Sequence, residues 1–290
     1  MAVVSFKVTG RSYGGFQLER KGLKDLFIKQ MALDFCCTEE EILNGENQFH
    51  IFVPQEGRRR FQQDRECFLK IAALRNKLLF AGDERMIGWC RRRFEKESGA
   101  WFMEPAKLRE LDQELSRYGY GIDFMHPFFI SYEPSEPEAH PYEIRYIRGD
   151  EIETFRGDSR FGNALSFSKT APDRIGVAAY EDGKILGMAG VSEDSRYLWQ
   201  IGIDVLPEAR GKGIGVLLVS LLKNEILAEG KVPYYGTAFS HMISMDIAIR
   251  AGFHAAWAEL FVEKMNTMQR EAAGGITKQL PGNDNCFVTV

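Results

Sequence analysis

The feature that most constrains the fold is a glycine-rich turn. It lies between a segment in which apolar residues alternate with other residues and a long, mainly apolar segment. The apolar residues of the alternating segment are Tyr197, Trp199, Ile201, Ile203 and Val205. A period of two is typical of a half-buried strand. Pro207 ends this strand, and the apolar residues 214–229 are followed by Gly230, the usual residue after a helix. The chain therefore needs a fold in which a strand leads into a helix through a turn that has few side chains.

The turn has a composition suited to binding an anion. It consists of Arg210, Gly211, Lys212, Gly213, Ile214 and Gly215. The first four N–H groups of a helix lack partners within the helix, and the helix dipole adds partial positive charge there. Alternating glycines leave these N–H groups accessible, so the turn is predicted to bind a phosphate group. It has neither the Gly-Lys-Ser/Thr end of a P-loop nor the dinucleotide pattern. A plain connecting turn is the alternative.

The segment Val205-x-Pro207-x-x-Arg210-Gly211-x-Gly213-x-Gly215 resembles the acetyl-CoA-binding motif of the GNAT superfamily of N-acetyltransferases. The order of elements over about residues 142–265 also resembles that fold. The resemblance implies that N–H groups of the loop bind the pyrophosphate of CoA. It also implies that the backbones of Ile203 and Val205 bind the pantetheine arm. Gly202, in the middle of the strand, then fits a bulge or a close approach by another group.

A second resemblance involves the helix before the sequence Ala-Gly-Phe at 251–253. Many members of the family have an Asn, a small residue and a Tyr at positions where this chain has His241, Ser244 and Ala248. Ser244 fits the pattern and is expected to place a hydroxyl near CoA. His241 and Ala248 depart from it. Because that Tyr is the general acid in many members, the resemblance supplies no acid at position 248.

Attack of an amine on a thioester needs a proton acceptor for the amine and, where used, an acid for the thiolate. We favour His241 as the acid because histidine titrates near neutrality, with Tyr234 or Tyr235 as alternatives. Equally open is that His241 only hydrogen-bonds loop backbone or takes the structural place of the family's Asn. The candidate bases are Glu193, Asp194, Asp204 and a water chain to solvent. A backbone N–H near Ile201–Ile203 is expected to stabilise the oxyanion.

The proline-rich segment 133–141 divides the chain into two parts. Residues 1–132 are predicted to form an α/β domain whose topology stays open, with a hairpin turn at Arg75-Asn76. This part could shape the acceptor pocket, form a dimer interface or be a degenerate second copy of the fold, and the sequence does not choose among these. Residues 142–265 are predicted to form the GNAT-like domain, a mixed, mostly antiparallel sheet flanked by helices. Residues 266–290 are predicted to be a polar tail.

Composition narrows the choice of partners. The net charge of −4 and the pI of about 5.9 argue against nucleic acid, and the basic triplet 58–60 is expected to be solvated surface. Five cysteines without C-x-x-C spacing predict neither disulfides nor a metal site. Without an evident signal peptide or membrane span, we expect a cytoplasmic protein that does not bind membranes.

The sequence therefore predicts an α/β N-acetyltransferase with acetyl-CoA as cosubstrate and no metal. The acceptor is an amine, either on a small molecule or at a protein N-terminus, and a homodimer is left open. The alternative is a non-catalytic module that binds or senses CoA or acyl-CoA, because the usual tyrosine acid is replaced by Ala248.

Overall fold

The computed structural model describes residues 20–59 and 67–265. The helices are α1 (Arg20–Phe35), α2 (Glu39–Leu43), α3 (Glu84–Phe94), α4 (Pro105–Ser116), α5 (Asp150–Glu153), α6 (Ile214–Ala228) and α7 (Met242–Arg250). The strands are β1 (Gln48–Ile51), β2 (Leu69–Leu74), β3 (Lys77–Gly82), β4 (Tyr120–Ile130), β5 (Glu143–Arg148), β6 (Asp173–Glu181), β7 (Lys184–Ser192), β8 (Leu198–Val205), β9 (Val232–Gly236) and β10 (His254–Lys264). No helix in these two ranges is long and apolar enough to span a bilayer.

The described strands form one ten-stranded sheet in the order β1-β3-β2-β10-β4-β9-β8-β7-β6-β5. Parallel pairing occurs between β1 and β3 and between β8 and β9; the other neighbours are antiparallel. The predicted fold class, a mixed and mostly antiparallel sheet flanked by helices, is confirmed.

Helices cover both faces of the sheet. Helices α6 and α7 pack over β6 to β9 around a core that includes Leu218, Ile203 and Tyr235. Helix α1 packs on the opposite face, in a core that includes Phe27, Tyr234 and Trp257. Neighbouring residues of a strand point to opposite faces, so Tyr234 and Tyr235 contribute to different cores.

The sheet is continuous across the proline-rich segment. Strand β4, which precedes this segment, pairs with β9 and β10, which follow it. The segment itself is attached to α6: the side chain of Asn224 bonds to the N–H and the carbonyl of Ser135, at 2.9 and 2.8 Å. The division into two domains stays a prediction, but the first part of the chain completes the sheet of the second.

The predicted hairpin turn at Arg75-Asn76 is confirmed, since it lies between Leu74 and Lys77. The carboxylate of Asp83 caps α3. Strand β9 ends at Gly236, and Phe239 beyond it is exposed. The predicted tail 266–290 lies outside the described residues.

The expectation that the basic triplet is solvated is wrong for Arg58 and Arg59, which are fully buried; Arg60 lies outside the described residues. Arg59 forms ion pairs with Asp34 on α1 and with Glu259 on β10. These carboxylates raise the pKa of Arg59 against the opposing effect of burial. A buried charge needs such partners, and here they join α1 to the last strand.

Candidate active site between two diverging strands

The site is built where β8 and β9 separate. The two strands pair in parallel at Leu198–Val232, Trp199–Pro233 and Gln200–Tyr234. Strand β8 continues to Val205, and no further pair with β9 occurs among the described residues. A gap lined by backbone therefore opens beyond Gln200.

The backbone of β8 directs hydrogen-bonding groups into this gap. The N–H of Leu206 donates to Leu186 at 2.9 Å, on the β7 side. In an antiparallel pair, alternate residues direct their N–H and C=O groups to opposite sides of the strand. The corresponding groups of Ile203 and Val205 therefore point toward β9 and into the gap. The carbonyl of Val205 accepts a long bond of 3.4 Å from Nε of Arg210.

The glycine turn lies at the end of the gap and opens to solvent. Gly211 and Gly213 have φ angles of 75° and 78°, which other residues adopt only with strain. A Cβ atom at either glycine would meet no other atom within 4 Å. Residues 210–213 are exposed, so the turn that leads into α6 is accessible to solvent, and Arg210 and Lys212 supply charge.

Gly215 lies where α6 and α7 pack together. A Cβ atom there would lie 3.0 Å from Cδ1 of Ile247 on α7. Gly215 and Ile214 are buried. The glycine therefore allows α7 to pack closely against α6, and its expected part in binding an anion stays a prediction.

Gly202 marks a close approach and not a bulge. The register of β7 and β8 is continuous through the pair Gly190–Gly202. A Cβ atom at Gly202 would lie 1.9 Å from the carbonyl oxygen of Asn163, and one at Gly190 the same distance from that of Ala164. The segment around Asn163 and Ala164 thus passes over β7 and β8 where both strands have glycine and no side chain intervenes. Asp204 holds it there by accepting bonds of 2.9 Å from the N–H groups of Asn163 and Ala164.

His241 caps helix α7. Its Nδ1 accepts a 3.0 Å bond from the N–H of Ser244. Because Nδ1 accepts this bond, a neutral imidazole ring here carries its proton on Nε2. This geometry agrees with a capping role, the alternative to acid catalysis.

Tyr235 and Ser244 form a buried hydroxyl pair on the α7 side of the sheet. Their oxygens lie 2.8 Å apart, and both residues have no exposed surface. Burial raises the pKa of Tyr235 to about 12. Ser244, which was expected near CoA, is engaged with Tyr235. Ala248 is also fully buried, so the position where the family has its tyrosine is packed by a methyl group.

Tyr234 lies on the α1 side, away from His241 and Ser244. Its hydroxyl donates to Asp194 and lies 3.2 Å from Oε1 of Gln200. Asp194, one of the candidate bases, is 1% exposed and accepts a 3.1 Å bond from the N–H of Gln200. This network fixes the last paired residues before the strands separate.

Glu193 is the accessible member of the three candidate carboxylates. Its Oε2 pairs with Arg174, with a 2.6 Å bond from Nε, and its side chain is 31% exposed. Beside it, a cavity of about 40 Å³ is lined by residues that include Asp173, Ser192 and Gln200. Such a volume has room for a few water molecules.

Sequence reasoning missed the contributions of Asn163 and Gly190. Glycines within both strands indicate that another part of the chain comes close to the sheet. The pairing of Gly202 with Gly190 follows only from the register of β7 and β8. A structural role for His241 is one of the two roles that the sequence leaves open, but its cap on α7 and the burial of Asp194 are not visible in the sequence.

Comparisons with known proteins give one family match and several distant structural matches. Residues 129–253 match the acetyltransferase (GNAT) family. No curated protein matches the chain. A putative GNAT acetyltransferase from Novosphingobium aromaticivorans shares 19% identity over 51% of this chain and 69% of its own, with a TM-score of 0.38.

Two further solved structures differ in how much of the chain they cover. A GCN5-related N-acetyltransferase-like protein from Streptococcus suis is 14% identical over 82% of this chain and 99% of its own, with a TM-score of 0.42. An aminoglycoside N-acetyltransferase in complex with CoA is 20% identical over 42% of this chain and 93% of its own, with a TM-score of 0.31. The chain spans 57 to 63% of the length of several other matched structures.

Proposed function

We propose that residues 129–253, which match the acetyltransferase (GNAT) family, transfer an acetyl group from acetyl-CoA to an amine. The observation that carries the proposal is the exposed glycine turn that leads into α6, beside the gap between β8 and β9. Both binding elements of a CoA thioester, a diphosphate and an extended amide-containing arm, find complementary groups there.

The cosubstrate is held by backbone groups. The N–H groups from Gly211 to Gly215 bind the diphosphate, with Arg210 and Lys212 adding charge. The pantetheine arm lies along β8 and pairs with Ile203 and Val205, as an added strand would. The long bond from Arg210 to Val205 breaks when the arm takes its place.

Proton removal from the amine is assigned to Glu193 and the waters beside it. Asp204 is held by the backbone of residues 163–164, and Asp194 is buried with Tyr234. Glu193 is partly exposed, and the cavity lined by its neighbour Ser192 has room for water, so a proton can pass from the amine through water to its carboxylate. The experiment is Glu193→Gln, which should lower kcat/KM most at low pH, where the ammonium form of the acceptor dominates.

Stabilisation of the oxyanion is assigned to β8, and protonation of the thiolate is assigned to β9. The N–H of Ile203, which points into the gap, donates to the developing oxyanion. Tyr235, backed by Ser244 at 2.8 Å, is the proposed acid. Tyr234 remains a positioning residue, because it fixes the end of the paired strands through Asp194 and Gln200.

The second candidate function is binding or sensing of CoA without transfer. It is favoured by one observation, the buried Ala248 at the position of the family's usual tyrosine. The two functions differ in whether free thiol appears. Incubation with acetyl-CoA and a panel of small amines and peptides should release CoA thiol in equal amount to an N-acetyl product. Binding of CoA without any thiol release above the no-protein rate would support the sensor.

A further inference from the structure

A group of metal-ligating side chains lies away from the site described above, at the junction of α1, α2 and β1. Donor atoms of Cys37, Glu41 and His50 all lie within 4.8 Å of one another. Cys37 follows the end of α1, Glu41 is on α2 and His50 is on β1. We propose that Cys37, Glu41 and His50 bind a divalent transition metal ion, Zn²⁺ by preference, that holds these three elements together.

The backbone of this region fixes the thiol and the carboxylate. The N–H of Cys37 donates to the carbonyl of Ala32 at 3.0 Å, which closes the end of α1. Thr38 and Glu41 form a capping box, in which Oε2 of Glu41 accepts from the N–H of Thr38 at 2.8 Å. The cap thus uses one carboxylate oxygen and leaves the other, Oε1, directed at His50.

The histidine supplies a buried nitrogen that needs a partner. Nε2 of His50 is inaccessible to solvent and has no hydrogen-bond partner in the described ranges 20–59 and 67–265. It lies 3.3 Å from Oε1 of Glu41. Tetrahedral zinc with nitrogen and oxygen ligands near 2.1 Å has donor atoms about 3.4 Å apart, so this pair already has the spacing of two ligands of one ion.

The neighbouring ammonium group of Lys77 does not occupy the carboxylate. Its Nζ donates to the carbonyls of Glu41, Ile42 and Asn44 at the end of α2 and to Oδ1 of Asn44. Lys77 therefore compensates the carbonyl end of a helix. The ligand set, with a thiolate, a carboxylate and a neutral imidazole, carries two negative charges.

The donor types select among metals. Mg²⁺ and Ca²⁺ prefer oxygen ligands alone, whereas a thiolate with an imidazole favours zinc and its neighbours in the transition series. The side chains of His50 and Glu41 are 24% and 32% exposed, so water can fill the fourth position. The thiol gives up its proton on binding, with one H⁺ released for each thiolate–metal bond.

The test uses Co²⁺ as a spectroscopic substitute for Zn²⁺ on the full chain after treatment with a chelator. One equivalent of Co²⁺ should give a thiolate-to-metal charge-transfer band and intense tetrahedral d–d bands, and Zn²⁺ should remove both. Cys37→Ser should abolish the charge-transfer band, and His50→Gln should weaken Co²⁺ binding by more than about 100-fold, beyond the range for lost outer-shell groups.

Two further variants keep the test decisive. Cys36→Ser removes the adjacent thiol, whose Sγ contacts the backbone of Val53, and it should leave the spectrum unchanged. Glu41→Gln keeps the capping box, which accepts either residue, and should still weaken binding at least about 10-fold. The absence of a charge-transfer band in the parent chain would overturn the proposal, as would an equal band in Cys37→Ser.

Discussion

Gly213→Val tests the proposed grip on the diphosphate with little other disturbance. The φ of 78° at Gly213 makes a valine there cost about 1–2 kcal/mol of stability. Because a Cβ atom at this position meets nothing within 4 Å, the folded chain can accommodate the side chain. The valine then occupies the space in front of the first N–H groups of α6, where the diphosphate is proposed to lie.

The expected loss of affinity follows from the hydrogen bonds that are blocked. Each bond to a charged group contributes about 1.5–3 kcal/mol, so the loss of two should weaken acetyl-CoA binding by at least about 100-fold. The assay is calorimetric titration of parent and variant with acetyl-CoA and with S-acetyl-pantetheine, which lacks the diphosphate. The variant should bind S-acetyl-pantetheine as the parent does. Acetyl-CoA affinity within threefold of the parent would refute the reasoning, and so would an equal loss for both ligands.

Substitutions at His241, Gly202 and Lys223 test further parts of the account. His241→Asn keeps a good N-cap and should retain activity within about threefold, which initial rates measure. His241→Ala should lose about 1 kcal/mol of stability, which denaturant titration measures. A large rate loss in the Asn variant would restore His241 as the acid. Gly202→Ala places a Cβ atom 1.9 Å from the Asn163 carbonyl and should destabilise the fold by about 3 kcal/mol, while the control Gly45→Ala, with open space around it, should change stability by less than about 0.5 kcal/mol. Burial lowers the pKa of Lys223 from 10.5 to about 8. Between these pH values the unfolded chain therefore binds more protons than the folded chain. The free energy of unfolding of the parent, measured relative to that of Lys223→Met, should rise from pH 8 to pH 10.5 by up to about 3 kcal/mol. A difference that does not change with pH would show that Lys223 is not neutralised in the fold.

The part of the site that sequence reasoning reached is local in the chain. The alternation before Val205, the glycines at 211 and 213 and the apolar helix after them lie within about one supersecondary unit, where periodicity and turn chemistry determine structure. The structure agrees there. Gly215 belongs to the same motif, but its lack of a side chain also makes room for Ile247 on α7. No local sequence pattern reveals such a contact between two helices.

The missed features depend on residues that are distant in sequence. Arg59 and its partner Glu259 are 200 positions apart, so the triplet looks like a solvated charge run until the fold brings a carboxylate to it. The insertion of β4 between β9 and β10 is equally non-local, because it joins a strand before the proline-rich segment to two strands after it. Composition and spacing carry no information about which strands become neighbours.

The metal proposal revises an expectation that rested on cysteine spacing alone. Without a C-x-x-C pattern, no metal site is expected, yet one thiol, one carboxylate and one imidazole converge from three elements. Their spacing in the chain has no recognisable motif because a helix end, a capping box and a strand position each supply one ligand. The proposed acetyl transfer does not depend on this site.

The most direct test of the central claim is a crystal structure of the chain with CoA bound. The account predicts diphosphate oxygens within hydrogen-bond distance of N–H groups between residues 211 and 216, and a pantetheine arm paired with the backbones of Ile203 and Val205. Density for CoA at another place on the protein, or an empty gap between β8 and β9 in crystals saturated with CoA, would contradict it.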